Sequence, residues 1–142
     1  MFRSRWTIAA AIALLACLLT ALPASAARKA TRSETAALSK AVFQSPLGGG
    51  DPDFAARFRV TGAKVSTVSK AWATANVVPK PRYARSLQGG YVIAVQPAGT
   101  KSWVVVDFGS ADVGCGIAPT AVIADLLNVK PAKNACPPGS GV

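Results

Sequence analysis

Along the chain, runs of apolar and polar residues change period several times, and each change marks an element. From Thr7 to Leu22 the sequence is apolar apart from two threonines and Cys17, with Arg3 and Arg5 before the run and Pro23-Ala24-Ser25-Ala26 after it. The run is shorter than the ~20 residues a membrane-spanning helix needs, and a basic start, apolar centre and small-x-small ending describe a secretory signal peptide. Cleavage is expected after Ala26. Two other readings compete: a lipoprotein anchored through Cys17, since Leu14-Leu15-Ala16-Cys17 loosely follows a lipobox, and an uncleaved anchor. The apolar run continues past Cys17 to Leu22, which argues against the first, and its shortness argues against the second.

Residues 27–33 read as a short basic arm outside the folded domain. Thr31-x-x-Glu34 has capping-box spacing, with Ser33 as a competing N-cap. A helix is predicted over Glu34 to Phe43, where Ala37, Leu38, Ala41 and Val42 form one stripe and Thr35, Ser39 and Lys40 face away. Ser45-Pro46 ends it, and Leu47 to Asp53, with Gly48-Gly49-Gly50 and Asp51-Pro52-Asp53, reads as a loop.

Beyond the loop the period becomes two. Phe58 and Val60 alternate with Arg57 and Arg59, Gly62 interrupts, and Val65 and Thr67 alternate with Lys64 and Ser66. One strand bent by a bulge, or two short strands, fits this pattern. Further strands are predicted over Ala71 to Val78, Tyr91 to Gln96 and Ser102 to Phe108. Lys80 to Gly90 and Pro97 to Lys101 connect them. The last two strands are almost wholly apolar, as strands covered on both faces are. Ala118-Pro119 opens a final helix, with Pro119 in its first turn, Val122, Ile123, Leu126 and Leu127 on its apolar face and Asn128 at its end.

Helix, antiparallel meander and short helix make an α+β domain: an N-terminal helix packed on a curved antiparallel sheet of about four strands, with a short C-terminal helix. Cystatin-like and nuclear-transport-factor-2-like architectures match this order. The domain is expected to span 34–128, followed by a Pro/Gly-rich tail over 129–142.

Composition sharpens the reading. The 142-residue chain has no histidine, which removes Ser-His-Asp triads, Cys-His dyads and His-bearing metal sites. Of the 142 residues, removing 26 leaves 116, and with Arg3 and Arg5 gone there remain fourteen basic side chains against six acidic. A domain of this size buries roughly two-thirds of its unfolded surface, so a covalent staple would add usefully to its stability. Cys115 and Cys136 are the cysteines left, an even number in an exported chain, and are read as a disulfide tying the entry of the last helix to the tail. A reactive Cys115 between Gly114 and Gly116 is the competing reading, but neither a His nor a Cys-x-x-Cys partner is present to lower its pKa.

The stretches Val65-Ser66-Thr67-Val68-x-x-x-Trp72-Ala73 and Trp103-x-Val105-Val106-Asp107-Phe108-Gly109-Ser110, with Cys115-Gly116-x-x-Pro119 after them, resemble a group of small secreted actinobacterial proteins. The resemblance implies export and a small sheet domain. It implies no site.

Candidate chemistry is sparse. Gly48-Gly49-Gly50 lacks the Lys-Ser/Thr and preceding strand of a phosphate loop, and no cofactor or metal motif is read. Asp107 and Asp112 bracket one loop and are the candidates for a carboxylate pair in a secreted hydrolase; the plainer reading of Asp107 is an end-of-strand residue bound to backbone or paired with Arg. Charge is the strongest signal. Between Asp53 and Asp107 no acidic residue occurs, while Arg57, Arg59, Lys64, Lys70, Lys80, Arg82, Arg85 and Lys101 fall there. Period two turns Arg57 and Arg59 outward, and Lys64 joins them if Gly62 is a bulge that resets the parity. Lys80-Pro81-Arg82-Tyr83-Ala84-Arg85 sets three cations around an aromatic ring. The expected function is a non-catalytic exported binding domain using Arg57, Arg59, Lys64, Lys80, Arg82, Tyr83 and Arg85. Its expected partner is an acidic protein surface, an anionic envelope polymer or an anionic lipid, with nucleic acid less favoured. A solubilising surface without any cognate anion is the bland alternative.

Overall fold

The computed structural model describes residues 26–48 and 51–138. The signal-peptide reading, apart from Ala26, lies outside the described residues, as do Gly49 and Gly50. The described residues fold as α+β around one open antiparallel sheet of five strands in sequential order: β1 (Arg28–Lys29), β2 (Phe58–Val65), β3 (Trp72–Pro79), β4 (Gly90–Val95) and β5 (Val104–Gly109). Among the described residues three α-helices accompany it, α1 (Arg32–Gln44), α2 (Phe54–Arg57) and α3 (Thr120–Leu127).

The expected count of about four strands misses β1. The arm is not outside the fold: Arg28 and Lys29 pair with Val65 and Lys64, and Ala30 is buried. A two-residue strand is too short to leave a period. α1 starts at Arg32, where Thr31 forms the expected capping box: its Oγ1 accepts from the Glu34 N–H at 3.2 Å, and a Glu34 carboxylate oxygen accepts from the Thr31 N–H at 2.8 Å. Arg28 adds a two-pronged contact, its guanidinium nitrogens lying 2.6 and 2.8 Å from the two Glu34 oxygens. These bonds, the Arg28 contact foremost, hold the Glu34 carboxyl down at about 2.

α1 lays Leu38 and Val42 on the sheet, against Val65, Ala73, Ala75, Val77, Val92 and Ala94. Ala37, expected on this stripe, is exposed. Phe54, at the start of α2, stacks on Phe58 at 4.6 Å between ring centroids and meets Phe43 and Phe108 edge-on, closing this core at one end. The small side chains at 73, 75 and 94 let α1 approach the strands closely.

The opposite face is covered by α3 and the C-terminal segment, which bury Ile93 with Val122, Ile123, Leu126, Val113 and Ala135. The Cys115–Cys136 disulfide holds this layer together across 21 positions, with its Cα atoms 5.5 Å apart. Gly114 sits at φ +84°, and a Cβ there would come within 2.8 Å of the Ile93 side chain, so only glycine lets this loop close on the sheet. Asn128 ends α3 in the left-handed conformation, with its N–H bonded to the Ala124 and Asp125 carbonyls. The middle of β4, Val92 to Ala94, therefore has both faces covered, as its apolar run predicts, while Tyr91 near its start stays exposed. β5 lacks such cover: it is an edge strand, and Val104 at its start is exposed.

Candidate functional site

The position of each cation follows from the path of β2. Phe58 and Val60 face α1, and without interruption Lys64 would point into the same core. Instead the register slips between Thr61 and Lys64: three steps along β2, from 61 to 64, are matched by two along β3, from Asn76 to Thr74. Gly62 makes this possible at φ +61°, and any Cβ there would come within 2.8 Å of Asn76 Nδ2. The bulge resets the parity. Ala63 and Val65 turn into the core, and Lys64 joins Arg59 and Thr61 on the opposite face.

On that face the cross-strand rows are explicit. One row runs Thr61, Asn76, Tyr91, Gly109, and the next runs Lys29, Lys64, Thr74, Ile93, Asp107. Arg59 stands opposite Val78 beyond the first row. α3 and its loop cover the Ile93 end and leave the other end open, where Tyr91 is 45% exposed. Among the described residues, the side chains of Arg59, Thr61, Lys64, Asn76 and Tyr91 make no hydrogen bond or ion pair. Lys29 and Lys64 sit directly opposite each other with like charge, an arrangement that costs stability when nothing neutralises it.

The other sequence-predicted candidates are placed differently. Arg57 fits the strand alternation in sequence but sits at the end of α2, one residue before β2. Its guanidinium lies 2.7 Å from Asp51 and 3.9 Å from Asp53, so it binds the preceding loop. Lys80 Nζ donates to the Ala55 carbonyl at 2.8 Å. Arg82 lies over the Tyr83 ring, 4.6 Å from its centroid, and also bonds the Tyr83 hydroxyl. Arg85 is exposed and unpaired among the described residues. The open face thus keeps Arg59 and Lys64 from the expected set and adds Lys29, Thr61, Asn76 and Tyr91, which periodicity alone did not single out.

The carboxylates have structural partners. Asp107 accepts from the Phe108 N–H at 2.8 Å through one oxygen and from the Gly114 N–H at 2.6 Å through the other. It thereby ties the end of β5 to the disulfide-bearing loop. Asp112 is exposed, at φ +52°. Asp125 on α3 reaches the β2–β3 turn. One of its oxygens accepts from Ser66 Oγ at 2.7 Å and from the Thr67 N–H at 2.8 Å. The surface hollow lined by Phe43, Ser45, Pro46 and Phe54 includes neither Asp107 nor Asp112.

Among the described residues, no group of three or more His, Cys, Asp or Glu could hold a metal ion, and no helix is long and apolar enough to cross a membrane. In comparisons with known proteins, no family model, curated protein or solved structure matches the chain.

Proposed function

We propose that this chain is an exported, basic, non-catalytic binding domain whose cationic surface contacts an acidic protein surface or an anionic component of the cell envelope, polymer or lipid headgroup. One observation carries the reading: Lys29, Arg59 and Lys64 gather on one open sheet face with no partner among the described residues, whereas Arg28, Arg57, Lys80 and Arg82 are held in local contacts. The disulfide fits an extracytoplasmic location. Export itself rests on the Arg3/Arg5, apolar, Ala24-Ser25-Ala26 succession and on the resemblance to small secreted actinobacterial proteins.

Salt dependence tests it. Cationic contacts to a polyanion release counterions, so retention on immobilised polyglutamate or dextran sulfate is expected to fall steeply between about 50 and 200 mM salt. Replacing Arg82 and Arg85 with Ala separates the loop from the sheet: if the loop takes part, binding weakens and the salt slope flattens. Absence of binding at low salt, or binding indifferent to salt, would overturn the proposal.

A further inference from the structure

We infer that the open end of the sheet face binds an anionic polysaccharide, with Lys29, Arg59 and Lys64 holding its acidic groups and Thr61, Asn76 and Tyr91 meeting its sugar rings. This rests on the anion-binding reading above and narrows it to one surface and one ligand class. The rise of about 3.3 Å per residue puts Arg59 and Lys64 roughly 15 Å apart along β2, too far for one small anion to meet both. Lys29 extends the cationic line across to β1. A linear polyanion can satisfy all three, and it relieves the repulsion built into the Lys29–Lys64 pair.

The neutral groups between the cations select the class. A hydroxyl, a carboxamide and a phenol in one row, at the ~4.8 Å spacing of neighbouring strands, offer donors and acceptors that a hydroxyl-rich chain can use. The Tyr91 ring adds an apolar surface with a polar tip on which a pyranose can lie. A lipid surface would favour apolar side chains able to insert. The other exposed large apolar residues, Leu47, Val68, Val104 and Ile117, lie outside this patch. The backbone of the face is preformed by strand pairing, so little backbone order must be acquired on binding.

The test is calorimetric titration of the mature protein with polygalacturonate, polyglutamate, phosphatidylglycerol vesicles and single-stranded DNA at equal charge and at about 50 mM salt. Polygalacturonate is expected to bind at least about fivefold tighter than any other probe. Tyr91→Ala and Asn76→Ala are expected to weaken polygalacturonate about tenfold while leaving polyglutamate unchanged, and Tyr91→Phe to retain most of the affinity. Arg59→Ala with Lys64→Ala is expected to weaken both polymers about tenfold or more. Unchanged melting temperatures identify these as binding effects. Equal affinity for both polymers with Tyr91→Ala silent would overturn the polysaccharide assignment and leave a general anion surface. Tighter binding to vesicles or DNA would reassign the ligand class, and no binding to any probe would overturn both this inference and the reading beneath it.

Discussion

Replacing Asp125 with Ala removes one carboxylate from α3 and should loosen the far end of the β2–β3 hairpin. Its Oδ2 lies 2.7 Å from Ser66 Oγ and 2.8 Å from the Thr67 nitrogen, and Ser66 is fully buried. Ser66 Oγ in turn accepts from the Val68 and Ser69 amides at 3.1 and 3.2 Å, so the hydroxyl is the hinge of the turn and the carboxylate orients it. Hydrogen bonds to a charged group are worth about 1.5–3 kcal/mol each, and the buried hydroxyl proton would lose its acceptor, so a loss of about 3 kcal/mol is expected. At this chain length that lowers the melting temperature by roughly 10–15 °C in a calorimetric or circular-dichroism melt. Asp125→Asn, which keeps an acceptor oxygen without the charge, should cost about half as much. Asp53→Ala, an exposed carboxylate 3.9 Å from Arg57, serves as the control and should lie within about 3 °C of the parent. An Asp125→Ala melt as close to the parent as that control would refute the assignment of Asp125 as the anchor of the hairpin.

Two further expectations concern stability. Replacing Cys115 and Cys136 with Ser should cost about 3 kcal/mol in the chain-entropy account of a loop of 21 positions, while binding measured below the melting transition is unchanged. Thermal melts and free-thiol titration check this, and free thiols in the native protein would contradict it. Glu34 titrates at about 2 when folded, against 4.5 as a free side chain, chiefly because of Arg28. Its contribution is therefore complete above about pH 5 and is lost as pH falls through 2; with solvent screening it amounts to about 1 kcal/mol. Melts across that window should show the wild-type advantage over Glu34→Gln vanishing at the acid end, and an advantage that persists there would contradict the pairing.

What could be read in advance depended on whether the signal was local. Thr31 and Glu34 announce the start of α1 because a capping box is complete within four residues. Gly62, set between two stretches of alternation, carries enough information to tie the direction of Lys64 to a bulge. Thr61, Asn76 and Tyr91 come from three different strands and become one row only through register, which no window of sequence contains. The partners of Arg57 and Asp125 were hidden differently. Arg57 fits the strand pattern but is captured by Asp51 and Asp53 across a short helix. Asp125 meets Ser66 from 59 positions away. Ala37 fits the helical stripe, yet the crossing of α1 on the sheet leaves it exposed.

The most direct test of the open sheet face as the binding surface is amide chemical-shift mapping of the protein titrated with polygalacturonate, then with salt. Salt-reversible shifts confined to Lys29, Arg59, Thr61, Lys64, Asn76 and Tyr91 and their immediate neighbours, with Arg82 to Arg85 and the α1 face still, are the result this account predicts. Shifts centred on the Arg82–Arg85 loop, or spread evenly over every exposed cation, would contradict it.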